Sequence, residues 1–397
     1  MEKKVSDKPK SIEQRKQLYS LDGIRGLCGM CVVFYHLVGT IYHYQPYTKI
    51  VNHGYLIVDF FYLITGFVLG YAYDKKKTSL SAWSFVKRRF VRLQPLVFLT
   101  SLVPTFFLRY LNAPSIGWVN YGDVPVLNRV VLLILATLNI PAPKSLVYSA
   151  NPSMFPLNPP QWFLVFAYIG NILYIAVLRY CRTSVLCMCA AISAMCTGYI
   201  TFTSEFGYVN GGFLLNDRKM APFGIVRLMT PLLIGQVISR VYQKQEMKLK
   251  EEEKKGKKSS GGIRFAFWIA SACLILMSKV PYLRKEGESA YRNAAFDTAA
   301  VTIIEPLILM VIINGCQPSQ WECDLFVWMG KMSYPLFLCH HIFVDFMFCW
   351  VANNNLTFDY VWIMFVGIIV LSVALAHFYE IYFNEPVQKW ISTRLHV

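Results

Sequence analysis

Two ionisable side chains, Arg25 and His36, lie in one apolar stretch, LDGIRGLCGMCVVFYHLVGT, from Leu21 to Thr40. Ionisable groups in a membrane span are costly and usually face a bundle interior or a wet cavity. Eleven helical steps make three turns plus about 20°, so both side chains leave one face of a helix, separated by roughly 16 Å along its axis. A permanent cation near one membrane surface suits anion binding. An imidazole beyond the midplane suits general-base work, because it titrates near neutrality. The same pair also fits a snorkelling Arg and a His hydrogen-bonded to a neighbouring helix, and the spacing alone leaves both open.

Other residues along the chain have similar potential. SFVKRRFVRLQP clusters Arg88, Arg89 and Arg92 just before a span. Arg presents phosphate with a planar fork of donors, so three can hold a polyanionic headgroup or, as generic basic residues, anchor the chain at the membrane surface. In VDFFYLITGFVLGYAYD, Asp59 lies near the outer end, and Thr65 beside Gly66 allows close approach of a helix or a ligand. FGIVRLMTPLLIGQ places Arg227 at the end of an apolar helix, ready to bind an anion, to pair with Glu305 or Asp59, or to snorkel. Glu305, in TIIEPLILM, is an intramembrane carboxylate that needs a role. GKMSYPLFLCHHIFVDF carries Ser333, Tyr334, His340 and His341. Adjacent residues point about 100° apart on a helix, so the two histidines are not expected to face one small site or to share a metal. Thr65 and Tyr334 are candidate oxyanion donors.

These residues require a membrane scaffold. Of 397 residues 55% are hydrophobic and only 16% charged. That is well short of the ~25% charged residues of a soluble domain. Ten apolar runs are long enough to span: 21–41, 54–73, 93–111, 161–180, 184–203, 222–240, 263–280, 297–314, 325–351 and 359–383. With both termini inside, the inner segments hold 26 Lys and Arg against 9 outside. The net charge of +16 is therefore mostly a topology signal, with a minor role at anionic lipid, and nucleic acid is not expected as a partner. Val126–Ile140 is too short to cross and reads as an outer interfacial or re-entrant helix, followed by an irregular loop from Pro141 to Pro160. The fold expected is all-α and polytopic, with about ten helices around a central cavity. A cytoplasmic tail over 1–20, a flexible charged loop over 241–262 and a cytoplasmic tail over 386–397 complete it. No cleavable signal peptide, internal repeat or disulfide framework is read from the chain.

LDGIRG with a His eleven residues after the Arg resembles the opening helix of the acyltransferase 3 family of membrane proteins, with its Arg-ten-His signature. The resemblance extends over almost the whole chain. It takes in Asp59, Phe60, Phe61, Gly66 and Phe67, with Thr65 in place of Ser. It continues through the Arg88, Arg89, Arg92, Pro95 run and through Asn158, Pro159, Trp162, Leu164 and Asn171. Arg227 with Gly235, then Gly330, Ser333, Tyr334 and His340, and finally Glu385-Pro386 as a closing helix stop, follow in the family's order. The departures are Phe163 for Ser and Ala167 for an acid, for which Glu305 is a possible substitute.

The resemblance implies transfer of an acyl group, most often acetyl, from acyl-CoA to a hydroxyl of a carbohydrate or lipid-linked glycan, in a multi-pass protein of the bacterial inner membrane. Arg25, Arg88, Arg89 and Arg92 then hold the donor's phosphates, with no metal. The donor arm runs along the first helix. His36 deprotonates the acceptor or carries the acyl group itself. Asp59, Thr65, Gly66, Trp162, Arg227, Glu305, Ser333, Tyr334 and His340 line the substrate channel. No esterase-like domain follows the last span in this sequence, so no two-step relay within it is expected. A secondary transporter with an intramembrane relay, and a lapsed relative that only binds glycan or lipid, are the alternatives.

Overall fold

The computed structural model describes residues 18–41, 51–74, 81–107, 124–146, 153–204, 207–209, 220–256, 261–282, 290–354, 356 and 358–395. They form a helical protein with no strand among them. The helices are α1 (Tyr19–Ile41), α2 (Ile57–Tyr73), α3 (Ala82–Phe107), α4 (Val126–Thr137), α5 (Trp162–Ala176), α6 (Thr183–Thr203) and α7 (Met220–Lys254). They continue with α8 (Ala266–Lys279), α9 (Tyr291–Ala299), α10 (Glu305–Ile313), α11 (Gln320–Cys339), α12 (His341–Asn354), α13 (Phe358–Tyr379) and α14 (Glu385–Leu395). A π turn over Ala300–Ile304 joins α9 to α10, and another over Glu380–Asn384 joins α13 to α14.

Helices satisfy every internal backbone group without water, which is why a chain this apolar adopts them in lipid. Among the described residues eight helical segments are long and apolar enough to cross a membrane, and the α11–α12 pair, bent by 45°, makes a ninth. The tenth expected span falls on α8. Its 14 residues reach only about 21 Å, against a hydrocarbon core of about 30 Å. The Val126–Ile140 run is the short helix α4, and the stretch after it is irregular, with residues 147–152 outside the described set.

Three local expectations change. The basic run at 88–92 is not a loop, because α3 already starts at Ala82 and holds Pro95 in its interior. Pro95 lacks the N–H that would reach the Val91 carbonyl, and Gln388 of α14 donates to that carbonyl at 3.2 Å and to Arg92 O at 3.1 Å. The charged stretch after span six continues α7 to Lys254. It is rich in Glu and Lys, strong helix formers with i,i+4 pairing such as Glu246 with Lys250 at 3.9 Å. Glu385-Pro386 does not stop the last helix. Pro386 sits in the first turn of α14, where a missing N–H is tolerated. Residues 1–17 and 396–397 of the two expected tails lie outside the described residues.

Two seams hold the bundle together, α1 against α11 and α2 against α7. In the second, Gly66 and Gly235 face the partner backbone. A Cβ on Gly66 would lie 2.1 Å from Leu232 O, and one on Gly235 2.1 Å from Leu63 O. Gly66, left open between packing and channel by its sequence, is thus a contact residue. Backbone cannot yield as a side chain does, so G66A and G235A should each destabilise by about 3 kcal/mol, at the upper end of overpacking costs. Thermal unfolding in detergent checks this against G198A, where a Cβ meets only Thr298 Cγ2 at 3.7 Å and little change is expected.

Candidate functional site

At the end of the bundle where α1 begins, Arg25 of α1 lies within electrostatic reach of Arg89 and Arg92 of α3. Asp22 sits 3.7 Å from the Arg25 guanidinium. Arg89 also stands over the Phe85 ring, 5.4 Å from its centroid. Arg88 is not part of this group. Its guanidinium folds back onto its own helix, bonding Ser84 O at 3.3 Å and Ser84 Oγ at 3.1 Å. Helical spacing does not separate them, since residue 92 lies about 40° from 88 and about 60° from 89; the two bonds to Ser84 do. α11 fixes both helices here. Ser333 Oγ donates to Arg25 O at 2.8 Å, and Tyr334 OH donates to Leu93 O at 2.7 Å. α14 closes the same end through Gln388 and through Lys331 Nζ with Glu385 at 2.7 Å.

At the far end of α1, His36 is half-buried and sits in a cluster of imidazoles. The His340 ring lies 5.4 Å from it, the His341 ring also 5.4 Å, and the two partners 5.8 Å from each other. The expectation that adjacent histidines cannot both face one site fails because the helix breaks between them. α11 ends at Cys339 and α12 starts at His341, with the axes bent by 45°. The His340 side chain contributes to the break. Its Nδ1 takes Leu336 O at 3.0 Å while its backbone N–H reaches the same carbonyl at a longer 3.3 Å. Insertion of a side chain into the i→i−4 ladder is a recognised cause of kinks. A carbonyl only accepts, so Nδ1 bears the proton and Nε2 of the neutral ring is an acceptor. Among the described residues that Nε2 is buried without a hydrogen-bond partner. His341 Nδ1 meets Asp345 Oδ2 at 3.1 Å. Among the described residues no three His, Cys, Asp or Glu side chains converge closely enough to hold a metal ion.

The line from Arg25 to His36 on α1 runs beside the α11 seam. A Cβ on Gly26 would lie 2.5 Å from Met329 O, and one on Gly29 3.2 Å from Ser333 O. The two helices therefore touch along this side, and the expected donor path down that groove is filled by packing.

A second polar centre joins α2, α5 and α7. Arg227 donates from Nε to Asp59 Oδ1 at 2.8 Å, from Nη2 to Asp59 Oδ2 at 2.8 Å, and from Nη2 to Tyr55 O at 2.7 Å. The Trp162 ring centroid lies 5.4 Å from the same guanidinium. Of the partners open to Arg227 in the sequence, the fold selects Asp59. Glu305, which follows the π turn, is fully buried, and neither carboxyl oxygen has a hydrogen-bond partner among the described residues. Thr65 Oγ1 donates to Phe61 O at 2.8 Å. With the Tyr334 hydroxyl given to Leu93 O, the proton of each expected oxyanion donor is already committed.

Sequence reasoning missed His53 and Asp297, which are 244 positions apart and meet at 2.8 Å. Asp297 also accepts from Tyr55 OH at 2.7 Å and from Val209 N–H at 2.9 Å. No spacing rule links residues so distant in the chain. Asp345 was legible as the i+4 neighbour of His341 on one helix face.

A family model described as an acyltransferase domain matches residues 18–377. The chain belongs to the acyltransferase 3 family. Protein 2 in the picA locus of Rhizobium radiobacter is 31% identical over 166 residues, covering 39% of this chain and 78% of that protein. Proteins of Staphylococcus aureus strains COL and MSSA476, named as candidate O-acetyltransferases, are each 21% identical over 397 residues, covering 95% of this chain. The chain spans 58% of the length of those staphylococcal relatives. No solved structure matches it.

The Asp59–Arg227 pair is buried, with neither side chain more than 3% exposed. Removing one partner of such a pair leaves an uncompensated charge and costs about 3–5 kcal/mol. D59N should therefore lower the unfolding temperature sharply, and D59N/R227M should recover part of the loss; the check is thermal unfolding of the purified single and double variants.

Proposed function

We propose that this multi-pass acyltransferase moves an acyl group, acetyl in the simplest case, from acyl-CoA to a hydroxyl of a carbohydrate or lipid-linked glycan in a bacterial inner membrane. The observation that carries the reading is one unbroken helix, α1, with a three-Arg cluster at one end and a three-imidazole cluster at the other. Like charges gathered as Arg25, Arg89 and Arg92 are gathered need a counter-anion, and the planar fork of Arg suits phosphate. The roughly 16 Å from Arg25 to His36 matches an extended pantetheine arm in length, on a course outside the packed α1–α11 seam. The names of the staphylococcal relatives support an oxygen acceptor and an acetyl donor.

In this mechanism Arg25, Arg89 and Arg92 hold the nucleotide phosphates. His36 takes the proton of the acceptor hydroxyl, whose oxygen attacks the thioester carbonyl carbon. The carbon–sulfur bond breaks, and the thiolate leaves as the protonated thiol. Asp59, Arg227 and Trp162 shape the acceptor side.

Ligand linkage supplies the test. A saturating ligand at about 100 times its Kd stabilises by about 2.7 kcal/mol, so acetyl-CoA should raise the melting temperature of the purified protein. R89A and R92A should lose most of that rise, whereas R88A, tied back to Ser84, should keep it. H36A should keep the rise and lose transfer of radiolabelled acetyl groups to the glycan fraction of native membranes. A secondary transporter has no reason to respond to acetyl-CoA at all, and an unchanged melting temperature would favour that alternative.

A further inference from the structure

We infer that Asp345 and His341 complete a carboxylate–imidazole–imidazole relay on His36, which makes Asp345 a positioning residue for the transfer step. The inference rests on the proposed acyltransferase reading and deepens it.

When His36 accepts the hydroxyl proton its ring becomes an imidazolium in a site of low dielectric, where an uncompensated charge is expensive. A carboxylate must stand near enough to balance it. Asp59 is committed to Arg227, and Asp297 to His53, Tyr55 and Val209 N–H. Glu305 lies in the field of Asp59, Arg227 and Asp297, and within electrostatic reach of Cys28 of α1. Position 167, where the family resemblance places an acid, is an alanine buried in an apolar cluster with Tyr62, Leu228 and Leu232. Asp345 reaches the site through His341, whose ring packs edge-on against His36 at 5.4 Å.

The carboxylate accepts from His341 Nδ1, so Nε2 of that ring is left to take or return a proton. The ring centroids lie 5.4 Å apart, close enough for the Asp345–His341 pair to act on the His36 charge through the field. His340 is held otherwise, with Nδ1 given to a carbonyl that has no charge to offer. The two neighbours of His36 thus have different roles: His340 presents a fixed neutral acceptor, and His341 links His36 to the Asp345 carboxylate. In sequence the proton leaves the acceptor oxygen for His36, and the oxygen–carbon bond forms. The Asp345–His341 pair stabilises the cation while the tetrahedral oxyanion lasts. As the carbon–sulfur bond breaks, the proton passes from His36 to sulfur, leaving ester and free thiol with no other reactant.

The experiment uses the full chain in native membranes, with radiolabelled acetyl-CoA as donor and the membrane glycan fraction as acceptor. D345N and H341Q should each lower kcat about 10–100-fold, by analogy with carboxylates that orient metal-bound histidines. The KM for acetyl-CoA and the acetyl-CoA-induced rise in melting temperature should stay unchanged. D345E should recover most of the rate. Wild-type kcat in D345N overturns the inference, as does a fall matched by a raised KM or a lost thermal response, which marks a structural role. H36Q separates the two levels. If H36Q still transfers acetyl, the underlying base assignment fails and the relay with it. If H36Q is inactive while D345N is fully active, only the relay fails.

Discussion

Close contact between α1 and α11 is the constraint on which the candidate site depends. Gly26 and Gly29 bring the α1 backbone to within contact distance of Met329 and Ser333, and Gly330 does the same from α11 toward Asp22. Without a hydrophobic driving force between helices in lipid, such small residues supply the packing that holds two spans together. The seam fixes the relative height of the helices. It also sets Ser333 against the Arg25 carbonyl at one end and His340 against His36 at the other. Displacing either helix along this contact would separate the imidazoles and release the Arg25 backbone together.

The break at His340 adds what a straight helix could not supply. In a continuous α-helix His340 and His341 would diverge, and only one could address His36. The 45° bend turns the chain so that both do, and it places Asp345 one turn further along α12 to hold His341. The kink has a local cause in the shared Leu336 carbonyl, but its consequence is tertiary, because it matters only through the ring of another helix.

The charges of the bundle divide by their partners. Arg227 with Asp59, and Arg240 with Asp74 at 2.9 Å, are pairs that satisfy each other and tie α7 to α2. Arg25, Arg89 and Arg92 gather with like charge, with Asp22 beside Arg25 and Glu380 in electrostatic reach of Arg92. The basic end is set apart by its excess of Arg, and the far end by its concentration of imidazole.

Much was legible in the chain itself. Hydropathy over windows of about twenty residues picks out nearly all of the helices long enough to cross, since the bilayer demands that length of every helix that crosses it. Helical periodicity places Arg25 and His36 on one side of α1, because that side is a property of a single continuous element. The order of motifs identifies the family. The fold settled the rest: between elements, that Arg227 chooses Asp59 and that His53 meets Asp297; within one helix, and against expectation, that Arg88 turns back onto Ser84 and that α8 falls short of a full crossing. Local patterns carry the direction of a side chain relative to its own helix axis. Which neighbour it meets depends on how distant helices pack, and on breaks such as the one at His340, where a side chain takes a carbonyl that the backbone would otherwise hold alone.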